Sequence, residues 1–169
     1  MKKLRNEGGY TLSELLVAII ILVLVSSCMT LGINLAGKSL NQTVLNSRAE
    51  ALAETLEELI SDELRYAEDV VNSGGELASF TSISRGENAS YLVKNGKAYI
   101  KTVQKGKTEE ASVLGYSAYP DGVNVSTLSV RITDAGIFRV TLKLKKAGDT
   151  AELRSASFDV KPLTPIDIE

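Results

Sequence analysis

Between Leu15 and Gly37 the chain carries no charged side chain, and most positions are Leu, Ile, Val or Ala. At a helical rise of about 1.5 Å per residue these positions cover roughly 34 Å, against about 30 Å for the hydrocarbon core of a bilayer. A stretch of this kind is a membrane segment first. Ahead of it, Met1 to Gly9 carries Lys2, Lys3 and Arg5, a basic flank that the positive-inside rule keeps cytoplasmic, sending the C-terminus outward. Glu14 stands at the lip of the apolar run, where an ionised carboxylate is costly unless a cation meets it.

The residues around that acid read Gly8, Gly9, Tyr10, Thr11, Leu12, Ser13, Glu14 and then the apolar helix. This order resembles the processing signal of type IV prepilins and pseudopilins, which runs Gly, Phe, Thr, Leu, an apolar residue and Glu. Tyr10 stands in place of the Phe and Ser13 in place of the apolar residue, with aromatic bulk and helix geometry kept. The resemblance covers residues 8 to 37. It implies that a prepilin peptidase and N-methyltransferase cuts after Gly9 and methylates the new amino terminus at Tyr10. Chemistry is then done to this chain rather than by it. It implies also that Glu14, fifth after the cut, meets the terminal amine of a neighbouring subunit in a filament. Elementary electrostatics agrees, because cleavage creates a cation where a carboxylate in low dielectric needs one.

Composition bounds the remainder. Of 169 residues, about 37 belong to leader and span, leaving roughly 130 for one soluble domain. Aromatics are 5% with no Trp, so Val, Ile and Leu must supply the core. The chain has 19 basic and 21 acidic side chains; without Lys2, Lys3, Arg5 and Glu7 the balance is 16 to 20, a net −4. The lysines are scattered, which argues against direct nucleic-acid contact, since that function shows a basic face or stripe. The one cysteine, Cys28, lies inside the apolar run, so packing alone must hold the external domain.

No proline precedes Pro120, and the first cluster of helix-ending residues is Asn72, Ser73, Gly74 and Gly75. The pattern predicts one helix from about Thr11 to Val71, on the order of 90 Å long. That is too long for one small domain to bury throughout. Its second half carries an apolar stripe at Leu45, Ala49, Leu52, Leu56, Leu59, Ile60, Leu64, Ala67 and Val71, spaced to face a core. Glu50, Glu54, Glu57, Glu58 and Asp62 form a solvated acidic face. Gly32 and Gly37 are the expected soft points, since glycine costs a helix about 1 kcal/mol.

After Gly75 the period changes to two. Tyr91 to Lys94 and Lys97 to Ile100 flank Asn95-Gly96, a type I′ hairpin signal that places Tyr91, Val93, Ala98 and Ile100 on one face. A third strand is expected at Ala111 to Ala118, ending at the turn Tyr119-Pro120-Asp121-Gly122. Asn124 to Thr133 and Ile137 to Lys145 read as a second hairpin, and Ala151 to Val160 as a last strand before Pro162 and Pro165.

The expected fold is therefore α+β and pilin-like: a long N-terminal helix, half membrane and half amphipathic, packed on a C-terminal antiparallel sheet. Residues 1 to 9 form the leader, 10 to 37 the transmembrane and assembly helix, and 38 to 169 the extracytoplasmic domain. Within that domain the helix reaches about 71, the β-rich part covers 76 to 161, and 162 to 169 is an extended tail.

Little in the chain suggests catalysis. There is no His, the commonest general base and zinc ligand, and no Ser-x-x-Lys element precedes a convincing helix. Asp121, Asp134 and Asp149 adjoin glycines, as turns require. No dense D-x-[DN]-x-[DN] run offers a calcium loop, and neither metal nor cofactor is expected. Asn88-Ala89-Ser90 and Asn124-Val125-Ser126 match a glycosylation spacing by chance.

The reading that results is a minor pilin or pseudopilin, not an enzyme. It is a structural subunit of a type IV pilus, competence pilus or type II secretion pseudopilus, reaching the cell surface or filament after assembly. Its expected partners are the prepilin peptidase, sister subunits and the membrane. Many major pilins have a proline about 22 residues after the cut, where this chain has Leu31 and Gly32; that difference favours a minor subunit. The rival is a membrane-anchored or lipoprotein-type binding module, because Val25-Ser26-Ser27-Cys28 resembles a lipobox. Against it, Met29 to Ala36 stays apolar where a lipoprotein turns polar.

Overall fold

The computed structural model describes residues 11 to 166 except Lys105. It contains one long helix and an antiparallel sheet, and the chain divides into two units, residues 1 to 42 and 43 to 169. Helix α1 runs Leu12–Arg65 and is continuous through Gly32 and Gly37. From Leu15 to Gly37 it is apolar on nearly every side, and from Leu45 onward the apolar positions narrow to one stripe. Ala49, Leu52, Ala53, Leu56, Ile60 and Leu64 are buried, and they join the sheet in a single hydrophobic core. Leu59, placed on that stripe by spacing, is instead 40% exposed.

The helix ends six residues before the predicted Val71. Residues Glu68–Ser73 form strand β1, paired antiparallel with β2, Glu76–Ser82. Two bonds close the helix end: the Ala67 N–H donates to the Leu64 carbonyl at 3.2 Å, and the Leu163 N–H to the Arg65 carbonyl at 2.9 Å. Ala67 is still buried, but Val71 is 52% exposed. The Gly74-Gly75 pair, read as a helix stop, is the β1–β2 turn, with φ of 63° and 84°, values that a two-residue hairpin turn demands.

Strand β3, Gly86–Lys94, and β4, Lys97–Gln104, form the hairpin that Asn95-Gly96 signals. Those two residues sit at φ 50° and 72°. Tyr91 pairs with Ile100 and Val93 with Ala98, the predicted register. The next strand differs from expectation: β5 is Lys107–Ser112, not Ala111 to Ala118, and Tyr116–Ala118 is a turn of 3₁₀-helix. As an edge strand on β4, β5 needs no apolar alternation, so its Lys-Thr-Glu-Glu sequence left no periodic signal.

Strands β6, Val123–Ile132, β7, Phe138–Lys146, and β8, Glu152–Val160, complete a meander. Their pairing sets Leu128 against Leu142, Val130 against Val140 and Ile132 against Phe138. A bulge between Val125 and Thr127 explains why the alternation in the sequence becomes regular only from Leu128: one extra residue shifts the face. Strand order across the sheet is β5-β4-β3-β2-β6-β7-β8, with β1 also on β2.

Tyr119 ties the segment after β5 to this sheet. Its buried hydroxyl accepts from the Ala98 N–H at 3.1 Å and donates to the Ala98 carbonyl at 2.9 Å. The Lys97 ammonium lies 5.2 Å from the centre of its ring, within cation–π range.

Candidate functional site

The start of α1 is built from Thr11 and Glu14. The Thr11 N–H and the Thr11 hydroxyl each donate to Glu14 Oε2 at 3.0 Å, and the Glu14 N–H donates to Thr11 Oγ1 at 3.3 Å. This is a reciprocal capping box, in which Thr11 is the N-cap and Glu14 the third helical residue. It satisfies amide groups that an apolar solvent would leave orphaned. The signature Thr-x-x-Glu was present in the sequence and gives Glu14 an intrachain task beside the intersubunit one already inferred. Ser13 adds a hydroxyl 3.0 Å from that of Thr11. Gly9 and Tyr10, the expected processing residues, lie outside the described residues.

Beyond the cap, the apolar run presents its side chains outward. Ile19, Ile20 and Ile21 are 55%, 51% and 54% exposed, and the most apolar 18-residue window of the helix has a mean hydropathy of 2.7 with none of it buried. The helix is long and apolar enough to cross a membrane. Its internal hydroxyls are turned back onto the backbone: Ser26 and Ser27 donate to the Leu22 and Val23 carbonyls at 2.8 Å, and Thr30 to the Ser26 carbonyl at 3.0 Å. Each polar hydrogen thus finds its acceptor within the helix, which makes the three residues compatible with lipid. Cys28 is a free, exposed thiol between them.

This end of the molecule offers, among the described residues, no nucleophile paired with a base. Among the described residues, no group of three or more His, Cys, Asp and Glu is placed to hold a metal ion. What the arrangement offers is a capped, single-acid helix start followed by an uninterrupted apolar surface, suited to insertion and helix–helix packing.

Comparison with known proteins bears on this end. Residues 4–27 match the family model described as the prokaryotic N-terminal methylation motif. The match takes in Arg5, the glycine pair, Glu14 and the first half of the apolar run, and it supports the type IV prepilin and pseudopilin family. No curated protein and no solved structure gives a significant match.

Proposed function

We propose that the chain is a minor subunit of a type IV pilus, a competence pilus or a type II secretion pseudopilus, cut after Gly9, N-methylated at Tyr10 and assembled through its N-terminal helix. The observation that carries this reading is the coincidence of the methylation motif at residues 4–27 with a helix that is apolar on nearly every side from Leu15 to Gly37. A helix apolar on all sides needs an apolar surrounding along its whole length. Lipid supplies it before assembly and sister helices supply it afterward. The basic flank keeps the leader in the cytoplasm, so residues 38 to 169 lie outside the membrane.

Glu14 gives the segment its second use. In the free subunit its carboxylate caps Thr11; in a filament it meets the terminal amine of a neighbour. Intact-mass measurement on membrane fractions, with and without the cognate peptidase, is expected to show loss of residues 1 to 9 plus one added methyl only when the enzyme is present. An uncleaved chain, or a diacylglyceryl group on Cys28, overturns the reading. Glu14→Ala is expected to be cleaved normally yet depleted from sheared filaments. Equal incorporation of mutant and wild type would remove the charge-pairing step.

A further inference from the structure

Beyond residue 44, the large apolar side chains that stay exposed among the described residues are Leu59, Tyr66, Val71, Ile83 and Leu163. All belong to segments that meet around the C-terminal end of α1. Leu59 lies on its last two turns and Tyr66 directly after it, Val71 on β1, and Ile83 on the turn between β2 and β3. The Leu163 N–H is bonded to the Arg65 carbonyl. Single apolar side chains scattered over a surface are ordinary, whereas a gathering of them at one place marks contact with a partner.

Three of them line one bowl. Leu59, Asp62 and Tyr66, three and four residues apart along the helix, join Glu63, Ile83 and Ser84 around a hollow of about 440 Å³. Its far wall is held in place. The Ser82 hydroxyl donates to Glu63 Oε1, the Ser84 hydroxyl donates to Oε2 at 2.9 Å, and Ser82 Oγ accepts from the Arg85 N–H at 2.9 Å. Ile83, between the two pinned serines, is thereby kept facing water at 69% exposure. Glu63 is occupied by this clamp. Asp62 is exposed and has no ion-pair partner among the described residues.

The neighbouring tail has the opposite character. Lys161 and Leu163 are exposed on either side of Pro162, which is buried, so the proline fixes the segment and its two flanking side chains stand out from the surface together. Lys161, like Asp62, has no ion-pair partner among the described residues. The chain therefore carries an apolar hollow beside a free carboxylate and an apolar knob beside a free ammonium. Its own knob does not fill its own bowl: Leu163 is tied to Arg65 and lines a different hollow, with Pro165 and Ile166.

We propose that the bowl docks the 161–163 knob of a second copy of this chain. The partner subunit's Leu163 enters between Leu59, Tyr66 and Ile83, and the partner subunit's Lys161 meets Asp62. Tyr66 of the bowl follows Arg65, whose carbonyl holds the Leu163 N–H, so bowl and knob adjoin on one surface. Such a patch is self-complementary: the contact is reciprocal about a two-fold axis, each pair occurs twice, and the assembly closes as a dimer. Charge decides the occupant, since an acidic segment in the bowl would face Asp62.

The test uses the full chain in detergent micelles, with the dimer measured by sedimentation equilibrium. In parallel, ¹⁴N- and ¹⁵N-labelled copies are mixed and treated with a zero-length carbodiimide coupler. Wild type is expected to dimerise and to give an Asp62–Lys161 amide joining one copy of each isotope. Asp62→Lys and Lys161→Glu are each expected to weaken the dimer by about tenfold or more. The chain carrying both substitutions, in which the charges are exchanged, is expected to recover to within about threefold of wild type. Leu163→Ser is expected to weaken the dimer by about tenfold; it alters no charge and keeps the test decisive if a charge substitution disturbs folding. A dimer held by the apolar span instead would be indifferent to all of these changes. A monomer at every concentration, a dimer unchanged by the single substitutions and by Leu163→Ser, or an Asp62–Lys161 amide found only within single copies overturns the proposal. Failure of the doubly substituted chain to recover overturns the pairing of Asp62 with Lys161.

Discussion

Two stretches of the same helix treat the same residue types in opposite ways. Ile19, Ile20, Ile21 and Leu22 are between 51% and 67% exposed, whereas Leu52, Leu56, Ile60 and Leu64 are at most 4% exposed. Hydrophobicity does not separate them; its distribution around the helix does. In the second stretch the apolar positions recur every three or four residues, with Glu50, Glu54 and Glu58 between them, so one face meets the sheet and the other meets water. In the first stretch no polar face exists, and no sheet, however placed, could cover such a helix all round. Burial of the second stretch is completed by folding, and burial of the first, under the proposed function, by insertion and assembly.

That contrast breaks if a substitution in one stretch registers in the other. The largest effects are expected from one core position and one span position. Phe138, fully buried on β7, should lose about 3–5 kcal/mol of domain stability as Phe138→Ala, seen as a lower urea midpoint, while cleavage after Gly9 proceeds as before. Ile21→Lys should cost about 2.5–3.5 kcal/mol in membrane insertion, seen as chain lost from the membrane fraction, with the urea midpoint of the domain unchanged. A domain weakened by Ile21→Lys would mean that the apolar stretch belongs to the fold after all.

A second, smaller effect lies inside the domain. Tyr119→Phe keeps the ring under Lys97 but strips the Ala98 N–H of its partner. A buried donor left unpaired costs about 1–3 kcal/mol, so the urea midpoint should fall by a corresponding amount, with no change in cleavage or in membrane association. An unchanged midpoint would show that the segment after β5 is held by its apolar contacts alone.

How much of this was legible depended on whether a signal was local. The apolar span, Glu14, the Asn95-Gly96 hairpin and the β6–β7 pair were all readable, because each rests on neighbours in sequence or on an uninterrupted period. The end of α1 was not. Ala67 and Val71 continue the helical spacing, and only pairing with β2 and the bond from Leu163 decide for a strand and a stop. Strand β5 was displaced for a related reason, since an edge strand of Lys, Thr and Glu has no buried face to write into the sequence. Tyr119 looked like part of a turn because its partner lies on another strand. The hydrogen bonds from Ser82 and Ser84 to Glu63 were invisible for the same reason: strand, turn and helix contribute one residue each. The Thr11 to Glu14 cap is different, a four-residue signature present in the sequence but overshadowed by the intersubunit role that the prepilin resemblance implies for the acid.

The smallest expected effect is electrostatic and belongs to the sheet alone. Arg139 on β7 faces Asp159 on β8 in register, and its Nε and Nη2 donate to the two carboxylate oxygens at 2.8 Å each. The hydrogen bonds from Arg139, helped by its charge and opposed by desolvation, hold the Asp159 carboxyl below its ordinary pKa. The unfolded chain therefore binds a proton more readily than the folded one in this range, so stability rises with pH there. The contribution is complete above the ordinary Asp value of about 3.9 and is lost as pH falls through the lowered value of the folded state. Both partners are about half exposed, so the effect is small and is screened by salt. Asp159→Asn should lower the urea midpoint slightly at pH 7, and the gap to wild type should close as pH falls below 4 and narrow at high ionic strength. Cleavage and membrane association should stay constant throughout, because the apolar stretch of α1 holds no partner of this pair. A gap that persists in acid would show that Asp159 acts through packing and not through its charge.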